Sequence, residues 1–314
     1  MLTSVLAALL LITGCGGEHF EGIDHHISFV ASMNIQEPSI QFFNKKGQEI
    51  ANWPLERAYT GALLVQQDTL LLYGHQLETA DLYEISSGKK IGEIKTEIGT
   101  TNAYYASKQK RIFLTNSKTN AVTSYDVYGN KLGEQKLGNY PMSMVANGSL
   151  LYVVNYKDTK LSILNIEDLT VVDEWKIERS SHGMAILPEE NTLWLGGHGE
   201  GSKPNRTVDV LDLETGEIIK EIDMPLMPIH FYKTEDEVLV VSHGENELYV
   251  ANHEGHIKWQ KEIAANPFAV ASFQGYIIVT GYDDHMMYFL DNQEVMKEIS
   301  IGKGPFQLLV REWQ

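Results

Sequence analysis

Pro141-Met142-Ser143-Met144-Val145, Leu151-Tyr152-Val153-Val154-Asn155, Leu161-Ser162-Ile163-Leu164-Asn165-Ile166 and Val171-Val172-Asp173-Glu174-Trp175-Lys176-Ile177 are four short apolar runs in close succession. Each is the length of a strand, and no helical periodicity runs through them. The fourth alternates apolar and polar residues, as a half-buried edge strand does. The same quartet recurs along the chain. Its first run begins at Thr60, Thr101, Pro141, His182, Pro228, Pro267 and Pro305, with starts 38 to 46 residues apart. Gly47, Gly88, Gly129, Gly216 and Gly255 follow the third run and suit a tight turn with φ > 0.

Four antiparallel strands per unit of about 40 residues is the β-propeller pattern. The chain ends decide against an open solenoid. Residues 27–32, 39–43 and 48–55 supply strands two, three and four of a unit that lacks its first strand. Residues 305–310 are a first strand without the rest. Joined, they make one composite blade. The prediction is an all-β, seven-bladed propeller over residues 27–314, closed on itself so that no strand edge is left to cap. A monomer is expected.

The 314-residue chain has a net charge of −17 and one cysteine, Cys15. The acidic balance argues against nucleic acid, which needs basic patches to displace counterions. One cysteine excludes an intramolecular disulfide, a haem-attachment pair and a cysteine-based zinc site. Residues 2–13 are an almost wholly apolar run, too short to cross a bilayer as a helix. The run ends in Leu11-Ile12-Thr13-Gly14-Cys15, which resembles the lipobox of bacterial lipoproteins. The resemblance implies a signal peptide over 1–14, a lipid on Cys15, a tether over 15–26, and a protein held at the cell membrane facing outside the cytoplasm.

Leu151-Tyr152-Val153-Val154-Asn155 and Ile112-Phe113-Leu114-Thr115-Asn116 resemble the Tyr-Val-Thr-Asn (YVTN) repeat of bacterial surface and periplasmic propellers, a repeat of WD-like form. The resemblance spans nearly all of residues 27–314. It implies fold and export, and the family includes both binding proteins and domains of redox enzymes.

On one face of a propeller, the loops from strand two to three emerge beside those from strand four to the next strand one. Here that face holds His198-Gly199-Glu200 in blade five and His243-Gly244-Glu245 in blade six. His75, Tyr156 and Tyr282 occupy the matching position in blades two, four and seven, while His182 and His230 stand near the start of strand one in blades five and six. His182, His198, Glu200, His230, His243 and Glu245 are therefore candidates for a divalent-metal or acid–base site. Plain repeat homology would explain the same residues without a site. The insertion over 198–206 carries Lys203 and Arg206, which together with Tyr156 and Tyr282 are candidate contact residues.

No Gly-x-Ser-x-Gly elbow, His-Glu-x-x-His helix or P-loop is present. The leading expectation is an extracytoplasmic, lipid-anchored binding or scaffolding protein, its ligand a protein, a peptide or a small molecule. The alternative is a metal-dependent lyase or hydrolase with its site on blades five and six.

Overall fold

The computed structural model describes residues 19–313; Cys15 and the signal-like run lie outside the described residues. Seven four-stranded antiparallel sheets form a ring, together with one small two-stranded hairpin. Blade one is the composite. Pro305–Arg311 pairs with Phe29–Asn34, which continues to Ser39–Phe43 and Glu49–Pro54. The register sets Val30 against Val310 and Ala31 against Leu309, so backbone hydrogen bonds join the two ends of the chain.

Strand period explains how each sheet grips two neighbours at once. In Leu150–Asn155, Leu151 and Val153 pack with Phe113 and Val122 of blade three. Tyr152 and Val154, on the opposite face, pack with Ile186, Leu193 and Leu195 of blade five. Successive side chains of a strand point to opposite faces, so a strand with both faces buried reads as one continuous apolar run. The outermost strands, such as Val171–Lys176, are largely exposed and keep their charges in water.

Arg311 locks the composite blade from inside. It is 1% exposed. Its Nε donates to the Ile27 carbonyl at 3.0 Å and Nη2 to the Asp24 carbonyl at 2.7 Å, while Nη1 lies 3.4 Å from the Asp68 carboxylate. The guanidinium also stacks 4.5 Å over the Phe29 ring. A buried cation is tolerated where such partners satisfy it.

Two residues in the described part of the expected 15–26 tether are packed rather than free. Phe20 stacks on Trp53 with ring centres 4.7 Å apart, and Ile23 is buried. His19 bridges to Lys89 beside the Gly88 turn of blade two. Gly88 has φ +67°, and a Cβ there would stand 2.0 Å from the Phe20 carbonyl oxygen, so this close approach needs glycine.

Candidate functional site

Strand one of a blade lines the central channel. Its first paired residue is Thr100 in blade three and Ser181 in blade five, opposite Asn116 and Gly197. The pattern-based starts at Thr101 and His182 are therefore one residue late. A register shift follows the first pair in six of the seven blades. Such a bulge adds one residue and re-aims side chains. Here it marks the residues of the channel wall: Met142 with Ser143, His182 with Gly183, His230 with Ile229, Phe268, and Phe306 with Gln307 all border one cavity of about 220 Å³.

Around the mouth above this cavity, aromatic and imidazole rings form a continuous chain. Tyr140 meets Tyr156 with ring centres 6.0 Å apart. Tyr156 stands edge-on to His198 at 5.9 Å and to His182 at 6.4 Å. His182 and His198 are 5.6 Å apart, and His198 and His243 are 5.2 Å apart. His243 then meets Phe268 at 5.3 Å, and Phe268 meets both Tyr282 and Phe306. The opposite wall is polar. There His75 Nε2 lies 3.1 Å from Ser117 Oγ, and Gln307 Oε1 accepts from the Ala62 N–H at 2.8 Å.

The imidazoles are held in different ways. His243 Nδ1 is 2.8 Å from Asn266 Oδ1; an amide oxygen only accepts, so Nδ1 carries the proton. Its Nε2 is buried without a partner, as is His198 Nδ1. His182 Nδ1 lies 3.1 Å from Ser143 Oγ, which also accepts from the Gly183 N–H at 3.3 Å. His230 Nδ1 accepts from the Val270 N–H at 3.4 Å, so in the neutral ring the proton sits on Nε2. Burial, reinforced by His198, His230 and His243, pushes the His182 imidazole down to about 3. Burial and the neighbouring His243 push His198 down to about 4, and burial alone does the same to His230. These rings are neutral at pH 7, available as acceptors, donors or metal ligands.

The structure brings His182, His198 and His243 together, with His230 one position further into the channel wall. It does not bring in the two glutamates. Glu200 is 71% exposed and its nearest charged partner is Arg179, at 3.6 Å. Glu245 lies exposed on its turn. Gly199, with φ +81°, turns the chain between His198 and Glu200, which leaves the carboxylate outside the mouth. Lys203 and Arg206 line a separate groove of about 510 Å³ formed with the hairpin of blade five. In that groove, burial together with Glu221 and Glu178 raises the Asp209 carboxyl to about 6. Among the described residues, the one group of three whose ligand atoms all lie within 4.8 Å of one another is Asp24, His25 and His26. It is exposed on the N-terminal segment, far in sequence from the mouth.

Tyr156 and Tyr282 sit in the ring chain. Phe268, Phe306, Ser143 and Asn266 belong to the mouth as well and were not singled out from sequence. The signal was present: Pro267-Phe268 and Pro305-Phe306 repeat an aromatic residue directly after the first residue of strand one.

No protein-family model matches the sequence, and no curated protein matches it. Solved structures match the fold. A functionally unknown protein from Desulfotomaculum acetoxidans superposes with a TM-score of 0.75 at 9% identity, covering 91% of this chain and 99% of that one. The dihydro-heme d1 dehydrogenase NirN, in complex with DHE, gives 0.67 at 13% identity, covering 90% of this chain and 65% of that one. BamB from Moraxella catarrhalis gives 0.62 at 9% identity, covering 93% and 95%. At these identities the likeness is one of fold.

Proposed function

We propose that this chain is a lipid-anchored, extracytoplasmic binding protein. Its ligand is a small molecule with a planar apolar face and a hydrogen-bonding edge, taken at the mouth of the channel. The observation that carries the reading is the unbroken ring chain from Tyr140 through His198 to Phe306, with two imidazole nitrogens facing no partner. Concave sites that combine aromatic walls with a few convergent polar atoms are how proteins hold small ligands. Buried polar atoms left without partners are costly, and a ligand that pairs with them recovers that cost. The neighbour NirN, solved in complex with DHE, supports a binding role for this architecture.

The lipobox-like sequence supports the anchor. His19 lies four residues after Cys15 and pairs at the strand three-to-four end of blade two. That end of the ring is opposite the mouth, so a lipid on Cys15 would leave the mouth facing away from the bilayer. Protein or peptide ligands reaching the same mouth through an aromatic side chain would use the same walls.

Two measurements test this. Saturation-transfer NMR with a panel of small planar aromatics should show binders whose signal falls at least fivefold in Phe268→Ala and Tyr156→Ala. No binder, or binders indifferent to both changes, would sink the mouth as the site. Cys15→Ala should move the protein from the membrane fraction to the soluble one; unchanged membrane association would remove the lipid anchor.

A second reading is a metal-assisted lyase or hydrolase, favoured by the convergence of three imidazoles. With Glu200 and Glu245 outside the mouth, any proton transfer there falls to an imidazole rather than to a carboxylate.

A further inference from the structure

We propose that His182, His198 and His243 form a binding site for one divalent transition-metal ion of the zinc class, open on its channel side. The inference rests on the reading of the mouth as the binding site and deepens it by naming part of the recognition chemistry.

Spacing is the first argument. An ion with nitrogen ligands at about 2.0 Å in tetrahedral geometry holds imidazole ring centres about 5 Å apart. The pairs here stand at 5.6 and 5.2 Å, with His198 between its two partners. His198 Nδ1 and His243 Nε2 are moreover both buried and unpaired, which rings packed only to fill space do not explain.

Tautomer is the second argument. Metal-bound imidazoles usually donate their other ring N–H to an oxygen, which fixes the lone pair toward the ion. His243 already does this through Asn266 Oδ1. Asn266 is in turn held through its own N–H by Asn246 Oδ1 at 2.8 Å. Ser143 Oγ can accept from His182 Nδ1 in the same manner. His230 is arranged the other way, with Nδ1 accepting and Nε2 protonated, so it is a donor to a bound molecule and not a ligand.

The nitrogens of all three rings do not lie within 4.8 Å of one another as they stand. Closure on an ion therefore requires the three rings to shift closer than they stand. Three imidazoles without a carboxylate suit zinc, copper or cobalt and reject magnesium and calcium, which take oxygen ligands. The fourth position would face Tyr156 and Phe268, where a ligand atom could join the ion.

The test is cobalt and zinc titration of the full chain in detergent after EDTA treatment, with the exposed pair removed as His25→Ala/His26→Ala so that only the mouth is read. One equivalent of cobalt should bind with the visible absorption of a tetrahedral nitrogen site. His198→Ala and His243→Ala should each weaken binding at least tenfold, and Asn266→Ala about tenfold. His256→Gln, at an exposed imidazole on a turn of blade six, should leave affinity unchanged. Circular dichroism of each variant checks folding. Cobalt binding that survives both His198→Ala and His243→Ala, or that is absent once His25 and His26 are removed, overturns the site. Aromatic-probe binding by metal-free protein separates the two readings: if it persists while metal fails, only the metal site falls.

Discussion

Ser181 pairs with Gly197 across the first two strands of blade five, and the residues that follow each of them, His182 and His198, thereby come to stand with their rings 5.6 Å apart. Sixteen positions of sequence are closed by one antiparallel register. The neighbouring blade adds His243 through the same strand-two end. This juxtaposition of imidazoles has consequences beyond binding.

Acid should weaken the fold through these rings. His182 falls from 6.5 to about 3, and His198 and His230 to about 4. Their folded pKa values lie below the unfolded one, so below pH 6.5 the unfolded chain binds the extra protons. Their contribution is full above about pH 6.5 and is lost as pH falls toward 4, by at most about 1.4 kcal/mol per ring per pH unit. Thermal melts between pH 7 and 4.5 should show a falling Tm, with a shallower slope in His182→Gln/His198→Gln. Equal slopes would mean the rings are solvated in the native state.

Asp209 should behave in the opposite sense. Its carboxyl rises from 3.8 to about 6 through burial and the nearby Glu221 and Glu178. The folded state therefore holds a proton that the unfolded state releases, and stability is lost as pH rises from about 4 to 6. Asp209→Asn should stabilise the protein at pH 7.5 by about 1 kcal/mol, discounted for its partial exposure, and change little at pH 4. A loss of Tm at pH 7.5 would contradict this.

Arg311 closes the ring by side chain as well as by strand. Arg311→Met would take the guanidinium from the Ile27 carbonyl, and from the Asp24 carbonyl and the Asp68 carboxylate, which keep only the Ile27 N–H and the Ser86 donors. A loss of about 3 kcal/mol is expected in urea unfolding, and Arg311→Lys should recover only part of it. A loss below 1 kcal/mol would show that the strand register alone carries closure.

Phe20 should count as part of the domain. Its stacking on Trp53 predicts that Phe20→Ala costs roughly 3 kcal/mol and changes tryptophan fluorescence. A silent substitution would restore residues 15–26 as a free tether.

The sequence by itself determined the architecture. Alternating runs, turn glycines and the split composite blade are local signals, because a strand's period and a turn's φ are set within a few residues. Seven blades and the closure of the termini followed from them. Only the tertiary structure decided the membership of the mouth. Strand one of blade five starts at Ser181, so His182 stands second, beside a one-residue bulge, and in a structure of period two a one-residue offset changes which way a side chain faces. The His-Gly-Glu repeats looked like single units, yet the turn parts Glu200 from His198, and Glu245 likewise stays outside. Asn266 and Ser143, which orient His243 and His182, lie 23 and 39 residues away in sequence. Those contacts arise only when rigid blades meet around an axis, and no local pattern encodes that meeting.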